Sequence, residues 1–229
     1  MSYRAKLAIF ALSAVILLFV LDTVYEGLKA LTRLDVVESE RDQWQRPSDI
    51  IRALNLRQGS TVVDLGCGSG YFALKLSRAV DSGGTVYGVD IRRLPLIFLW
   101  VRTFIRHQHN VRTVLGQADN SYLPAHAANA VLIANTYHEF ENPGAILDEV
   151  LQSLVSGGRL VIVDPMQTER GKFSPGLVER ELRRRGFDIM SRDDRFVDHP
   201  VRGLWWFIVA RRPQREIGFQ DSIQMKGLY

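Results

Sequence analysis

The chain has 229 residues, 46% of them apolar, and a formal net charge of +4 from 29 Lys and Arg against 25 Asp and Glu. That is enough apolar material for one domain with an extension, and no compact basic patch interleaved with aromatics occurs, which argues against nucleic acid as a partner. The single cysteine, Cys67, excludes a disulfide within the chain and chemistry that needs several thiols.

Leu7 to Leu21 is an unbroken apolar run, preceded by Arg4 and Lys6 and ended by Asp22. As a helix, 15 residues cover roughly 22 Å, short of a hydrocarbon core of about 30 Å; extension through Val24 and Tyr25 nearly closes the gap. A cleaved leader fits the flank and the length, but Leu21-Asp22-Thr23-Val24-Tyr25 makes a poor cleavage site. A spanning anchor, a helix lying in the interface and a buried core helix are the other readings, and the lack of a polar face counts against the last. We expect a membrane-associated helix and connector over 1–33, the main domain over 34–213, and a polar tail over 214–229, with the mixed, charged residues 22–47 forming a helical connector and then a cap over the cofactor. The cations before the run predict an inside N-terminus with the domain outside.

Pro47 opens a helix that runs to Leu54. Thr61 to Leu65 reads as a strand that enters the turn Gly66-Cys67-Gly68-Ser69-Gly70, and a helix follows over Tyr71–Val80. Such a turn lets backbone approach a ligand and aims N–H groups at an anionic part of it. Val86 to Asp90 reads as a second strand ending in an acid suited to a ribose. Counting from Gly66, a dinucleotide fingerprint requires its third glycine at position 71, which is Tyr71. Asp64 is a poor neighbour for a pyrophosphate and a good one for the ammonium and sulfonium of S-adenosylmethionine.

Leu94 to His107 reads as a helix without a polar face, apolar and aromatic with arginines around it. The Leu94–Val101 part suits a membrane surface, or burial against another element or a second subunit. Strands follow over Arg112–Leu115, Ala130–Ala134 and Arg159–Val163, with helices over Pro143–Leu154 and Pro175–Arg185. Phe187–Met190 and Leu204–Ala210 read as a closing antiparallel pair. Alternating strands and helices imply an α/β fold with a parallel sheet whose ligand lies at the carboxyl ends of the strands. His138 is a candidate general base, with Glu139 to orient it, and Tyr137 a candidate pocket wall. His199 is a second base candidate. No His/Asp/Glu cluster has metal-ligand spacing.

Asp64-Leu65-Gly66-Cys67-Gly68-Ser69-Gly70 resembles motif I of the class I S-adenosylmethionine-dependent methyltransferases, and later segments resemble that family's motifs in order: Asp90, Gly116-Gln117-Ala118-Asp119 with Leu123-Pro124, Ala130–Asn135, and Gly157–Asp164. Arg41–Pro47 and Tyr137–Phe140 resemble segments of small bacterial members. The resemblance implies a Rossmann-like, seven-stranded, mostly parallel sheet with helices on both faces. It implies S-adenosylmethionine as cofactor, held by Asp64, Gly66, Cys67, Gly68, Gly70, Asp90, Ile91, Ala118, Asp119 and Asn135. It places Tyr137, His138 and Glu139 near the transferred methyl group. Gln117 departs from the family, in which many members carry Asp there, so the adenine contact shifts to Asp119 or backbone. The apolar segments suggest a lipophilic acceptor: a quinone or polyprenyl compound, a phospholipid head group, or a small hydrophobic molecule. Because the cofactor is made in the cytosol, the domain is expected to face the cytosol, against the charge bias.

Overall fold

The computed structural model describes residues 3–117, 120, 122, 125–166 and 174–214. The chain divides into two compact units, Met1–Gln45 and Arg46–Tyr229.

The first unit is one helix, α1 (Tyr3–Trp44), 42 residues long. At 1.5 Å per residue this is roughly 63 Å. The apolar run and the expected helical connector form a single continuous element. No proline interrupts it before Pro47, and Leu, Ala, Glu and Arg at the charged end all favour helix. α1 is long and apolar enough to cross a membrane.

The second unit is an α/β domain. Its elements in chain order are α2 (Pro47–Ala53), β1 (Thr61–Leu65), α3 (Tyr71–Val80), β2 (Thr85–Asp90), α4 (Arg93–Ile105), β3 (Val111–Leu115), β4 (Ala128–Ala134), a 3-10 turn (Tyr137–Glu139), α5 (Pro143–Ser153), β5 (Leu154–Pro165), α6 (Pro175–Arg184), β6 (Asp188–His199) and β7 (Gly203–Arg211). The seven strands form one sheet of order β3-β2-β1-β4-β5-β7-β6. β1 to β5 are parallel, and β7 is antiparallel to both β5 and β6. β1, β4 and β5 sit in the middle and read as near-continuous apolar runs, as strands covered on both faces must. α3 packs on β1 and β2, α4 on β2 and β3, α5 on β5, and α6 on β6 and β7. The core gathers Val63, Val131, Ile133, Leu147, Leu160 and Trp206, all buried.

Two strands exceed their expected spans. β5 begins at Leu154, before the glycine pair, and β6 runs for 12 residues where only Phe187–Met190 reads as strand. β6 is the sheet's edge, paired on one side only, with register irregularities between Ile189/Ser191 and Asp193/Val197. An edge strand with charges along its exposed positions carries no alternating apolar pattern, and this is how natural edges avoid further pairing.

Candidate functional site

The parallel register brings the ends of β1, β2, β4 and β5 to one edge. Asp64 pairs beside Gly88 and Leu132, Asp90 beside Leu115, and Ala134 beside Val163. Asp64 and Asp164 are 2% and 1% exposed and Asp90 is 4% exposed, so three carboxylates are buried at the same edge of one sheet.

The glycine turn is built by strain that only glycine accepts. Gly66, Gly68 and Gly70 all have positive φ (79°, 53° and 96°). A Cβ at Gly66 would overlap Thr136, and one at Gly70 would overlap Leu99 of α4, whereas one at Gly68 would meet nothing within 4 Å. The turn is thus sealed on two sides by protein and open at Gly68. Its amides are committed internally: Gly66 and Cys67 donate to the Val89 carbonyl (2.8 and 2.9 Å), and Gly68 donates to Asp90 Oδ2 (2.9 Å). These three amides thus meet acceptors of the protein itself, a strand carbonyl and the Asp90 carboxylate. Cys67 is buried within the turn, and burial pushes its thiol far above the ordinary value. It is a space-filling residue there, packed toward Gly88.

Asp90 is held by a residue that sequence reasoning missed. The Arg92 amide donates to Oδ1 (2.9 Å), and its guanidinium reaches both oxygens through Nε (3.2 Å) and Nη2 (3.4 Å). The carboxylate in turn raises the Arg92 pKa. Ile91 is 60% exposed directly after the strand. Beneath the turn, Arg102 of α4 is 2% exposed and donates through Nη1 to the Ser69 carbonyl (2.7 Å). Ala118 and Asp119 lie outside the described residues.

Past β4 the chain turns sharply at Asn135, whose φ is 58° and whose amide donates to the Val163 carbonyl (2.8 Å). Thr136 then leans on the turn, its Oγ1 donating to the Gly66 carbonyl (3.3 Å). Tyr137 faces the core, 1% exposed, edge-on to Trp206 at 6.2 Å and to Phe140 at 5.8 Å. Burial pushes its phenol well above the ordinary value.

His138 meets Asp164 rather than Glu139. The Asp164 carboxylate accepts the His138 amide (3.0 Å) and takes ring Nδ1 at 3.0 and 3.1 Å. With Nδ1–H given to Asp164, Nε2 carries the lone pair. Glu139 Oε1 stands 4.0 Å from Nε2, with an exposed side chain, so Asp164 is the nearer acid to the ring. Burial raises the Asp164 pKa above the usual carboxylate range, and the His138 hydrogen bonds pull it back down. The signal in the sequence was an acid closing an apolar strand, as at Asp64 and Asp90; what the sequence did not show was the pairing with His138 across 26 positions. His199, on the edge strand, accepts the Val201 and Arg202 amides (3.2 and 3.1 Å) and caps its own turn. Among the described residues no group of three His, Cys, Asp or Glu side chains gathers to hold a metal.

The site therefore combines an open glycine bend, buried carboxylates beside it and no spare turn amides at Gly66–Gly68. That set fits a cationic nucleoside with ribose hydroxyls and does not fit a pyrophosphate.

Comparison with known proteins points the same way. Residues 63–162 match the family model described as a methyltransferase domain. A demethylmenaquinone methyltransferase of Geobacillus sp. (strain WCH70) is 26% identical over 145 residues, 63% of this chain and 62% of that protein, so the chain spans less than two thirds of that relative's length. A 2-phytyl-1,4-naphtoquinone methyltransferase of Thermosynechococcus vestitus is 30% identical over 111 residues, 48% of each chain. Among solved structures, a SAM dependent methyltransferase from Aquifex aeolicus superposes with a TM-score of 0.64 at 21% identity, covering 72% of this chain and 89% of that one. The methyltransferase-domain match over residues 63–162, together with the shared fold, supports a class I S-adenosylmethionine-dependent methyltransferase domain in this chain.

Proposed function

We propose that the whole protein is a membrane-associated methyltransferase that acts on a lipophilic, quinone-like acceptor and uses His138 as general base. The observation that carries the reading is the Asp164–His138 pair, two residues from the Thr136 contact that ties the same loop to the cofactor turn. The names of two relatives, a demethylmenaquinone and a phytyl-naphthoquinone methyltransferase, support the acceptor class. A single long apolar helix supports the membrane association.

The cofactor, when bound, supplies a methyl group on a positively charged sulfur that departs as a neutral thioether. Asp64 sets a buried negative charge beside the turn, opposite the cofactor's cationic end. Asp90 and Gly68 border the ribose, and Ile91 offers an apolar edge to the base. Asn135 bends the chain beside the cofactor's amino-acid end. His138 Nε2 takes the proton from the acceptor's ring hydroxyl as the carbon–methyl or oxygen–methyl bond forms, and Asp164 stabilises the resulting imidazolium. The proton then passes to solvent past the 20% exposed His138 side chain. The domain works on the cytosolic face, where its cofactor is made.

Calorimetry with S-adenosylhomocysteine and with NAD, followed by incubation of the full-length protein with a labelled methyl donor and a bacterial lipid extract, tests this reading. Binding of the former alone and label in the quinone fraction is the expected result. Tight NAD binding without S-adenosylhomocysteine binding overturns it. Binding without labelled product in any fraction reduces the protein to a tethered cofactor-binding protein.

A further inference from the structure

α4 has two faces with different tasks. Its inner face serves the cofactor turn: Leu99 is fully buried under Gly70 and Gly88, and Arg102 holds the Ser69 carbonyl. Its outer face is apolar and open. Leu94, Ile97, Trp100, Phe104 and Ile105 are 64%, 57%, 61%, 69% and 55% exposed. Leu94, Ile97, Trp100 and Phe104 recur at helical spacing, and the last two stack with ring centroids 6.3 Å apart. A water-facing helix carries polar residues at these positions.

Along the chain, the charges next to this face have one sign. From Ile91 to Ala118 the sequence contains no Asp or Glu, but five arginines, Arg92, Arg93, Arg102, Arg106 and Arg112. Arg92 and Arg102 turn inward to Asp90 and Ser69. Arg93 and Arg106 flank the two ends of the helix and Arg112 follows on β3.

We infer that the outer face of α4 docks on an anionic lipid bilayer, with Trp100 and Phe104 entering the acyl boundary and the flanking arginines meeting lipid phosphates. An aromatic and aliphatic face bordered by cations alone is the pattern of a helix lying in a membrane interface. A second copy of the chain is the poorer occupant: a two-fold pairing of this face would set Arg93 and Arg106 of one copy against those of the other. α1, on the same chain and apolar enough to cross a membrane, raises the local concentration of bilayer so that a small patch suffices. The inference goes beyond the methyl-transfer reading and does not depend on it. It makes α4 a shared wall, lipid on one side and the floor of the cofactor turn on the other.

Full-length protein reconstituted in vesicles of phosphatidylglycerol and phosphatidylcholine, with or without bromine on the acyl chains, tests the contact through tryptophan quenching. The chain has four tryptophans, so Trp100→Phe isolates the contribution of position 100. The expected result is that bromine quenches wild type more than the variant. The Trp100 difference should also weaken about fivefold or more when phosphatidylglycerol is replaced by phosphatidylcholine. Ile97→Trp in the Trp100→Phe background should restore the lost quenching, because it returns an indole to the same face. Equal quenching of wild type and Trp100→Phe, or failure of Ile97→Trp to restore it, overturns the inference, whether the face lies in water or under a second copy. Quenching is read without turnover, so an inactive preparation that still shows the Trp100 difference sinks the methyl-transfer reading and leaves this one standing.

Discussion

Gly68 and Gly70 share a positive φ but differ in what lies beyond their missing side chains, and substitution separates binding from folding. At Gly70 an added methyl strikes Leu99, so Gly70→Ala should cost about 2–4 kcal/mol of stability from backbone strain and overpacking together, read by urea denaturation. At Gly68 the added methyl enters open space; Gly68→Ala should cost only about 1 kcal/mol, yet lose most of its affinity for S-adenosylhomocysteine in calorimetry. The acid beside His138 is tested by contrast. Asp164→Asn should lower kcat about 10²–10⁴-fold with S-adenosylhomocysteine binding retained, while Glu139→Gln stays close to wild type; equal losses in the two would return the orienting role to Glu139. Asp164 also has a signature in stability. Its pKa is raised in the folded protein, so between the ordinary carboxylate value and the raised one the folded state binds more protons than the unfolded. Its contribution to stability is then present at low pH and declines as pH rises through that window. Melting temperatures of Asp164→Asn relative to wild type should therefore climb across it. Asp64 and Asp90 were legible from the sequence because each lies at the end of an apolar strand, two residues from a glycine. Arg92 and Thr136 were not, since nothing in an arginine after an acid, or in a threonine in a loop, states which backbone it will touch.

Helix ends and strand edges divide the elements that sequence patterns revealed from those they hid. α5 begins where Pro143 follows Asn142, whose side chain accepts the Ala145 amide (3.1 Å); Asn142→Ala should cost about 1 kcal/mol, measured by thermal denaturation. That start was legible because proline and a capping side chain act locally. So were β1, α3 and β2, whose apolar runs are bounded by glycines. β6 was legible as the partner of β7 only at its start, over Phe187–Met190; its continuation to His199 was hidden, because its composition, rich in Arg and Asp, is that of an edge facing water. Arg192 there bridges Glu179 of α6 (2.9 Å) and Asp194 (2.6 Å), and both carboxyls are held below their usual values by it. With these side chains near the surface, such pairs add little to stability; their work is to fix where α6 rests on the hairpin. α1 was legible as an apolar run and a helical connector; that the two are one unbroken helix follows only when a helix breaker is sought, and the next one is Pro47.

Across the entire protein, a long apolar helix precedes an α/β domain, and two residues separate the end of α1 at Trp44 from the start of α2 at Pro47. Membranes from expressing cells should retain the full-length chain through an alkaline carbonate wash, and removal of residues 3–24 should release most of it; release of the full-length chain by carbonate would mean that α1 lies on the surface rather than crossing. The architecture was legible because alternating strands and helices admit few sheets, whereas the acceptor is written in contacts that no periodicity reports. One of those contacts has a kinetic meaning. A single carboxylate grips both the amide and the ring of His138, so backbone and imidazole share one anchor. On the proposed reading of His138 as base, an acceptor that displaced this loop on entry would also draw the imidazole from its place, and proton transfer would await the loop's return.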